Sequence, residues 1–282
     1  MTEPESTVTP VADRHLLIEA SSEFMEDRAL RLGAGLAYYG LITLAPLLIL
    51  LLGIAGLILG EEAANGQLAE TLEQWFGADI AQAFAEMVTA ADVAGTFANL
   101  TIGSLILLIF AASILFVAWK DALDVIWGVG YHSGVKATLA KRLFGFASVG
   151  ALAGLLVAIL IAESILAMFS GLLSDDALID TAFSIAASIV PLTLGALLLG
   201  AAYRFGTDGK ASWRAVWPGT ILTMVLLIVL AGGYGVYVDL SGTSIAGIAS
   251  SAILLIVLVY MMAQVLLFGG EVIKVQTRRA RS

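Results

Sequence analysis

The chain has 282 residues, 60% hydrophobic and 13% charged, with a formal net charge of −9 and a mean hydropathy of +0.97. Soluble domains carry about 25% charged residues, so this composition excludes an ordinary water-soluble globule and points into lipid. The lack of cysteine excludes disulfides and thiolate metal centres, the two histidines His15 and His132 cannot build a cluster, and the acidic balance argues against non-specific nucleic-acid binding.

Residues 1–35 read as an acidic tail followed by an interfacial helix. No basic segment leads directly into an apolar core, so the start of the chain does not read as a signal peptide. From Arg14 to Leu32 an amphipathic stretch sets Leu16, Leu17, Phe24 and Leu30 on one side, which suits a helix lying on the membrane surface. The first long apolar run, 36–60, predicts a membrane span that contains Tyr38, Tyr39 and Pro46.

Residues 61–99 are acidic, with Leu68, Leu72, Trp75, Phe76, Ile80, Phe84, Met87 and Val88 at near-helical spacing. They read as an amphipathic insertion that caps helix ends; a lid is the functional alternative. Further spans follow at 100–119, 143–173, 182–203, 216–240 and 245–270, and a basic tail at 271–282. Each run reaches the roughly 20 helical residues that a hydrocarbon core needs. The expected fold is therefore all-α: a polytopic membrane bundle of six transmembrane helices, spanning 36–270, plus the outer amphipathic segment.

Every Lys and Arg falls before the first span, in the loops after the second and fourth, or in the tail. The alternate loops 61–99, 174–181 and 241–244 hold none. The positive-inside rule then puts both termini in the cytoplasm of a cell-membrane protein.

Glu163, 20 residues into the third span, is the sharpest site candidate, because an ionisable group inside the bilayer is costly. At the outer interface it would be merely solvated. Pro46 and Pro191 each fall about ten residues into their spans, and matching helix breaks are a transporter feature, although ordinary kinks would look the same. Tyr38 and Tyr39 join them as candidates for a substrate path. Tyr38 and Tyr39 also lie, with Trp119, Trp127, Tyr203, Trp213 and Trp217, near the inner membrane boundary, where an aromatic belt explains most of them. Asp121, Asp124, Trp127, Arg204, Arg214 and Glu271 form a candidate inner gate, with Lys274 or a basic residue of 120–142 as the expected partner of Glu271. The glycine runs Gly145, Gly150, Gly154 and Gly232, Gly233, Gly235 suggest faces of close helix packing.

Several segments, in order, carry a family likeness. Asp27 precedes Ala34-Gly-Leu-Ala-Tyr-Tyr39 and Leu44-Ala-Pro-Leu-Leu48; Ala122-Leu-Asp-Val-Ile-Trp-Gly-Val129 follows the second span; Ser212-Trp-Arg leads to Trp217-Pro-Gly219; Gly269-Gly-Glu271 closes the sixth. Over residues 27–275 the chain resembles the YihY/virulence factor BrkB family. Asp124 stands where that family often has Asn. The resemblance implies a six-span inner-membrane protein. Some members once bore a ribonuclease BN label, since regarded as misassigned, and others have been linked to serum resistance and to lipid or lipopolysaccharide export.

The expected function is thus a transporter or exporter of a lipid or small molecule, with a non-transporting membrane scaffold as the alternative and a membrane-associated ribonuclease third. A ribonuclease would need a metal- or His-based site at the aqueous face, and two distant histidines do not supply one. No catalytic residue, metal or cofactor is expected. Membrane lipids, an unknown small-molecule or lipid substrate and a second copy of the chain are the expected partners.

Overall fold

In hydrocarbon, backbone N–H and C=O groups must be satisfied within the structure, so continuously apolar runs fold as helices. The computed structural model describes residues 14–59, 82, 86, 102–129, 135–173, 177–207, 211–241 and 248–281, and the described residues are helical without strands. The helices are α1 (Arg14–Glu26), α2 (Ala29–Leu59), α3 (Ile102–Ile126), α4 (Val135–Leu173), α5 (Ala177–Gly206), α6 (Trp213–Ser241) and α7 (Ile248–Arg279). Four described stretches are long and apolar enough to cross a membrane: Thr138–Ile159, Ile189–Gly206, Trp213–Tyr237 and Ile253–Arg279; the described apolar part of α2, Ala29–Leu44, is shorter. The amphipathic insertion 61–99 lies outside the described residues, apart from the helical Gln82 and Glu86, which share a hydrogen bond.

Successive helices from α2 to α7 pack side by side, and α7 packs back on α2, so the six close a ring. One end of the ring carries the basic residues: the start of α2, the end of α3, the start of α4, the end of α5, the start of α6 and the end of α7. The helices run past the apolar runs at this end. Lys120–Ile126, expected as loop, is helical, because hydropathy falls before helix propensity does. α3 ends at a Schellman cap: Gly128 takes φ 59°, its N–H donates to the Val125 carbonyl at 3.0 Å, and the Val129 N–H donates to the Asp124 carbonyl at 2.8 Å.

α1 does not continue into α2. Arg28 takes a left-handed φ of 54°, and the chain turns back so that α1 packs on the end of α7. Leu16 and Ala20 are buried against Val272 and Val275, and Phe24 meets Phe268 edge-on at 5.8 Å between ring centroids. Leu30, expected on the same side, lies beyond the turn and is exposed.

The densest core sits at the basic end, where Leu36, Trp119, Leu123, Ile126, Tyr203, Val216, Leu267 and Ile273 are buried together. Glycine permits this closeness at Gly219 and Gly269. A Cβ on Gly269 would lie 1.9 Å from Thr223 Oγ1, and one on Gly219 would lie 2.4 Å from Ile273 Cγ1. Of the two expected glycine faces, Gly145 does approach the Ser113 carbonyl, but Gly150, Gly154, Gly232, Gly233 and Gly235 have nothing within 4 Å. Among the described residues this corrects the packing expectation: Gly150, Gly154, Gly232 and Gly233 are exposed, and half-buried Gly235 also meets no neighbour.

Gly269→Ala should therefore cost about 1–3 kcal/mol by overpacking, read as a lower thermal unfolding midpoint of the detergent-purified protein, while Gly232→Ala should leave that midpoint unchanged.

Candidate functional site

Two ion networks occupy the basic end of the ring. In the first, residues four apart on α1 face α7. Glu19 and Glu23, with Asp27 one residue past the end of α1, form a carboxylate stripe, opposed on α7 by Glu271, Lys274, Arg278 and Arg279. Lys274 Nζ reaches Glu23 at 2.7 Å and Glu271 at 3.2 Å, and also pairs with Asp27. Arg278 pairs with Glu23, its second nitrogen at 3.1 Å, and Arg279 donates to Glu19 at 2.8 Å.

Glu271 is fully buried, and its Oε1 has no hydrogen-bond partner. A carboxylate so placed is tolerable only beside a cation, and Lys274 is the cation in contact. The oxygens of Glu23, Asp27 and Glu271 lie within 4.8 Å of one another, close enough to share a metal ion; the Lys274 ammonium already meets all three. Burial raises the Glu23 carboxyl, but hydrogen bonds from Arg278 and Lys274 and their charges outweigh it, holding Glu23 below its ordinary value.

The second network joins α3, α4 and α5. Lys120, itself buried, reaches Asp124 at 3.4 Å and donates at 3.2 Å to the Gly206 carbonyl, one of the orphan acceptors at the C-terminus of α5. It also sits 5.9 Å from the Phe144 ring centroid. Lys141 bridges Asp121 and Asp124, the latter at 3.1 Å.

Between the networks lies Tyr203, fully buried. Its hydroxyl donates to the Leu266 carbonyl at 2.6 Å and stands 3.1 Å from Thr223 Oγ1, while the Trp119 ring packs on it at a tilt, 5.4 Å between centroids. Leu123 fills the space beside it, against Gly206 and Gly270. Non-neighbouring helices meet at this end, α3 with α5, α3 with α7 and α5 with α7, while α2 and α4 also meet further along, where Leu50 and Val149 are buried together with Ala112.

The expected gate residues divide. Asp121, Asp124 and Glu271 join the networks. Arg204 is half-buried and Arg214 exposed, and neither pairs with those carboxylates. Trp127 is half-buried, with its Nε1 unpartnered.

On the expected substrate path, Tyr38 and Tyr39 are 61% and 42% exposed, so they face out of the bundle and suit an aromatic belt instead. Pro46 and Pro191 are half-buried on α2 and α5, which are not neighbours in the ring. Glu163 falls on α4, but its side chain lies outside the described residues.

Sequence reasoning passed over Glu23, Lys120 and Lys141. The spacing of Glu19, Glu23 and Asp27 against Glu271, Lys274 and Arg278 is a signal that could have found the first network.

A family model described as "Virulence factor BrkB" matches residues 20–282. No curated protein and no solved structure matches the chain.

Lys274→Met would strand a buried carboxylate, with an expected loss of about 3–5 kcal/mol seen as a lower unfolding midpoint. A depressed carboxyl stabilises the fold above its unfolded value and loses that contribution as pH falls through its folded value. Hydrogen exchange over residues 14–26, corrected for the intrinsic pH dependence, should therefore show protection constant at neutral pH and falling below the ordinary Glu value of 4.5; Glu23→Gln should flatten that fall.

Proposed function

The chain belongs to the virulence factor BrkB family of membrane proteins, and from that membership and the geometry of the ring we propose a six-span transporter of a lipid or small molecule. In this reading α2 to α7 are the spans, both termini are cytoplasmic, and the basic end is the cytoplasmic gate. The protein carries out no covalent chemistry and needs no cofactor.

The observation that carries the proposal is the packed plug at the basic end of the ring. Leu123 sits against Gly206 and Gly270, and the Tyr203 hydroxyl ties α5 to the Leu266 carbonyl. The charges flanking this plug are paired with one another across helices, as Lys141 is with Asp121 and Lys274 with Glu23. Paired charges can exchange partners when helices move, at far less cost than bare ones, so such a belt suits a seam that opens. Glu163 on α4 and the helix breaks at Pro46 and Pro191 would then line or hinge the path beyond the plug.

Orientation follows from the basic residues gathered at this end, because cations resist translocation.

The test is flux through purified protein in liposomes, with a fluorescent phosphatidylglycerol for the lipid arm and an entrapped anionic dye for the small-molecule arm. One or the other should move, and a short thiol cross-linker joining Leu123→Cys to Gly206→Cys should stop it. Absence of both fluxes, or flux indifferent to the cross-link, leaves the scaffold reading instead. Single cysteines at Trp75 and Arg279, labelled from one side of sealed vesicles, should react on opposite faces; labelling on the same face removes the topology.

A further inference from the structure

We propose that the outer groove between α3 and α4, at the level of Phe110, binds the phosphate of an anionic phospholipid through Arg142. The inference needs only that the chain lives in a membrane and does not rest on transport.

Arg142 stands apart from the two networks. Its guanidinium lies 4.5 Å from the Phe110 ring centroid, and its Nη1 is buried with no hydrogen-bond partner. The carboxylates near this end of α3, Asp121 and Asp124, are both held by Lys141, and Asp124 also by Lys120. Arg142, half-buried, has no ion pair among the described residues, and its buried Nη1 meets no acceptor there.

Its direction is also unusual. Helix side chains lean toward the helix N-terminus, and basic ones near a bilayer edge snorkel to water. For α4 both tendencies point to the basic end. Arg142 instead covers Phe110, whose ring packs at 6.3 Å on Phe146, one turn deeper along α4. The guanidinium therefore reaches toward the middle of the bundle. Cation–π contact compensates the charge in part, but it does not satisfy in-plane N–H donors.

The occupant must supply oxygen acceptors and negative charge at that depth. A guanidinium fork matches two oxygens of a phosphate. The surface around the guanidinium is apolar and faces outward: Phe110 is 42% exposed and Phe146 36%, and Leu139 and Leu143, on the adjoining turns of α4, are 67% each. A free phosphate gains nothing from that surface, whereas a phospholipid presents a phosphate and an acyl chain together. Lateral entry from the bilayer also avoids the packed interior of the ring.

The test uses the full-length protein in neutral detergent, with phosphatidylglycerol, phosphatidylcholine or inorganic phosphate added, read by thermal midpoint and by native mass spectrometry of bound lipid. Phosphatidylglycerol should bind and raise the midpoint. Arg142→Gln should weaken that binding on the order of tenfold, as expected for loss of a bidentate charge-assisted contact. Phe110→Leu keeps the charge but removes its platform, and should weaken binding less. Lys136→Gln, an exposed cation near the same end, should change nothing. Undiminished phosphatidylglycerol binding in Arg142→Gln overturns the proposal. So does an equal response to phosphatidylcholine, and a matching response to inorganic phosphate would assign the site to free anions. Should Arg142→Gln fail to fold, Phe110→Leu decides: wild-type lipid retention in that variant counts against the groove.

Discussion

A carboxylate with no exposed surface sets the terms for one end of this molecule. Glu271 lies where α7 leaves the ring, and water does not reach it. Burying such a group costs several kcal/mol unless a counter-charge comes with it. Lys274, one turn along, provides that charge, and its remaining donors draw in Glu23 from α1 and Asp27 from the turn after it. The amphipathic helix that precedes the first apolar run is thereby held against the last helix. Arg278 and Arg279 extend the same seam outward to Glu23 and Glu19, where the pairs are more exposed and individually weak. One buried carboxyl group and the lysine beside it thus join the two ends of the chain.

Closure of the ring depends on a different kind of contact. Between Tyr203, Thr223, Gly269 and Gly219 the helices approach until no methyl group fits. The Tyr203 hydroxyl takes a carbonyl of α7 as acceptor, which a membrane-buried phenol needs. Lys120 does the corresponding work at the end of α5 by capping the Gly206 carbonyl. Polar groups at this end are therefore both glue and seal. Away from it, α4 and α5 turn isoleucines such as Ile161, Ile165, Ile185 and Ile189 outward, as lipid-facing helices do.

Much of this was legible in the sequence, and the misses share a cause. Apolar runs located the helices because hydrocarbon leaves the backbone no other option. They did not locate the helix ends at the basic side, since Lys120 to Asp124 is polar yet still helical up to the glycine cap at Gly128. Glu271 and its link to Lys274 could be read because both lie on one helix, three residues apart. Asp121 and Asp124 were rightly placed at this end, but their partner is Lys141 rather than Arg204 or Arg214. That choice depends on the register of α3 against α4, which no single-helix periodicity contains. Glu23 and Asp27 meet Lys274 from about 250 residues away, and the turn at Arg28 that brings them there leaves no mark in hydropathy. Tyr38 and Tyr39 could be read as belt or as path; their outward direction is fixed by which face of α2 meets α3 and α7.

The left-handed corner at Arg28 has a consequence for how the chain tolerates indels. An α-helix advances about 100° per residue. One residue added to or removed from the last turns of α1 would roll the helix before it by that angle relative to the corner, and Leu16 and Ala20 would turn away from α7 together. This stretch works as an indexing tooth rather than as slack, so its length is under tighter constraint than its composition.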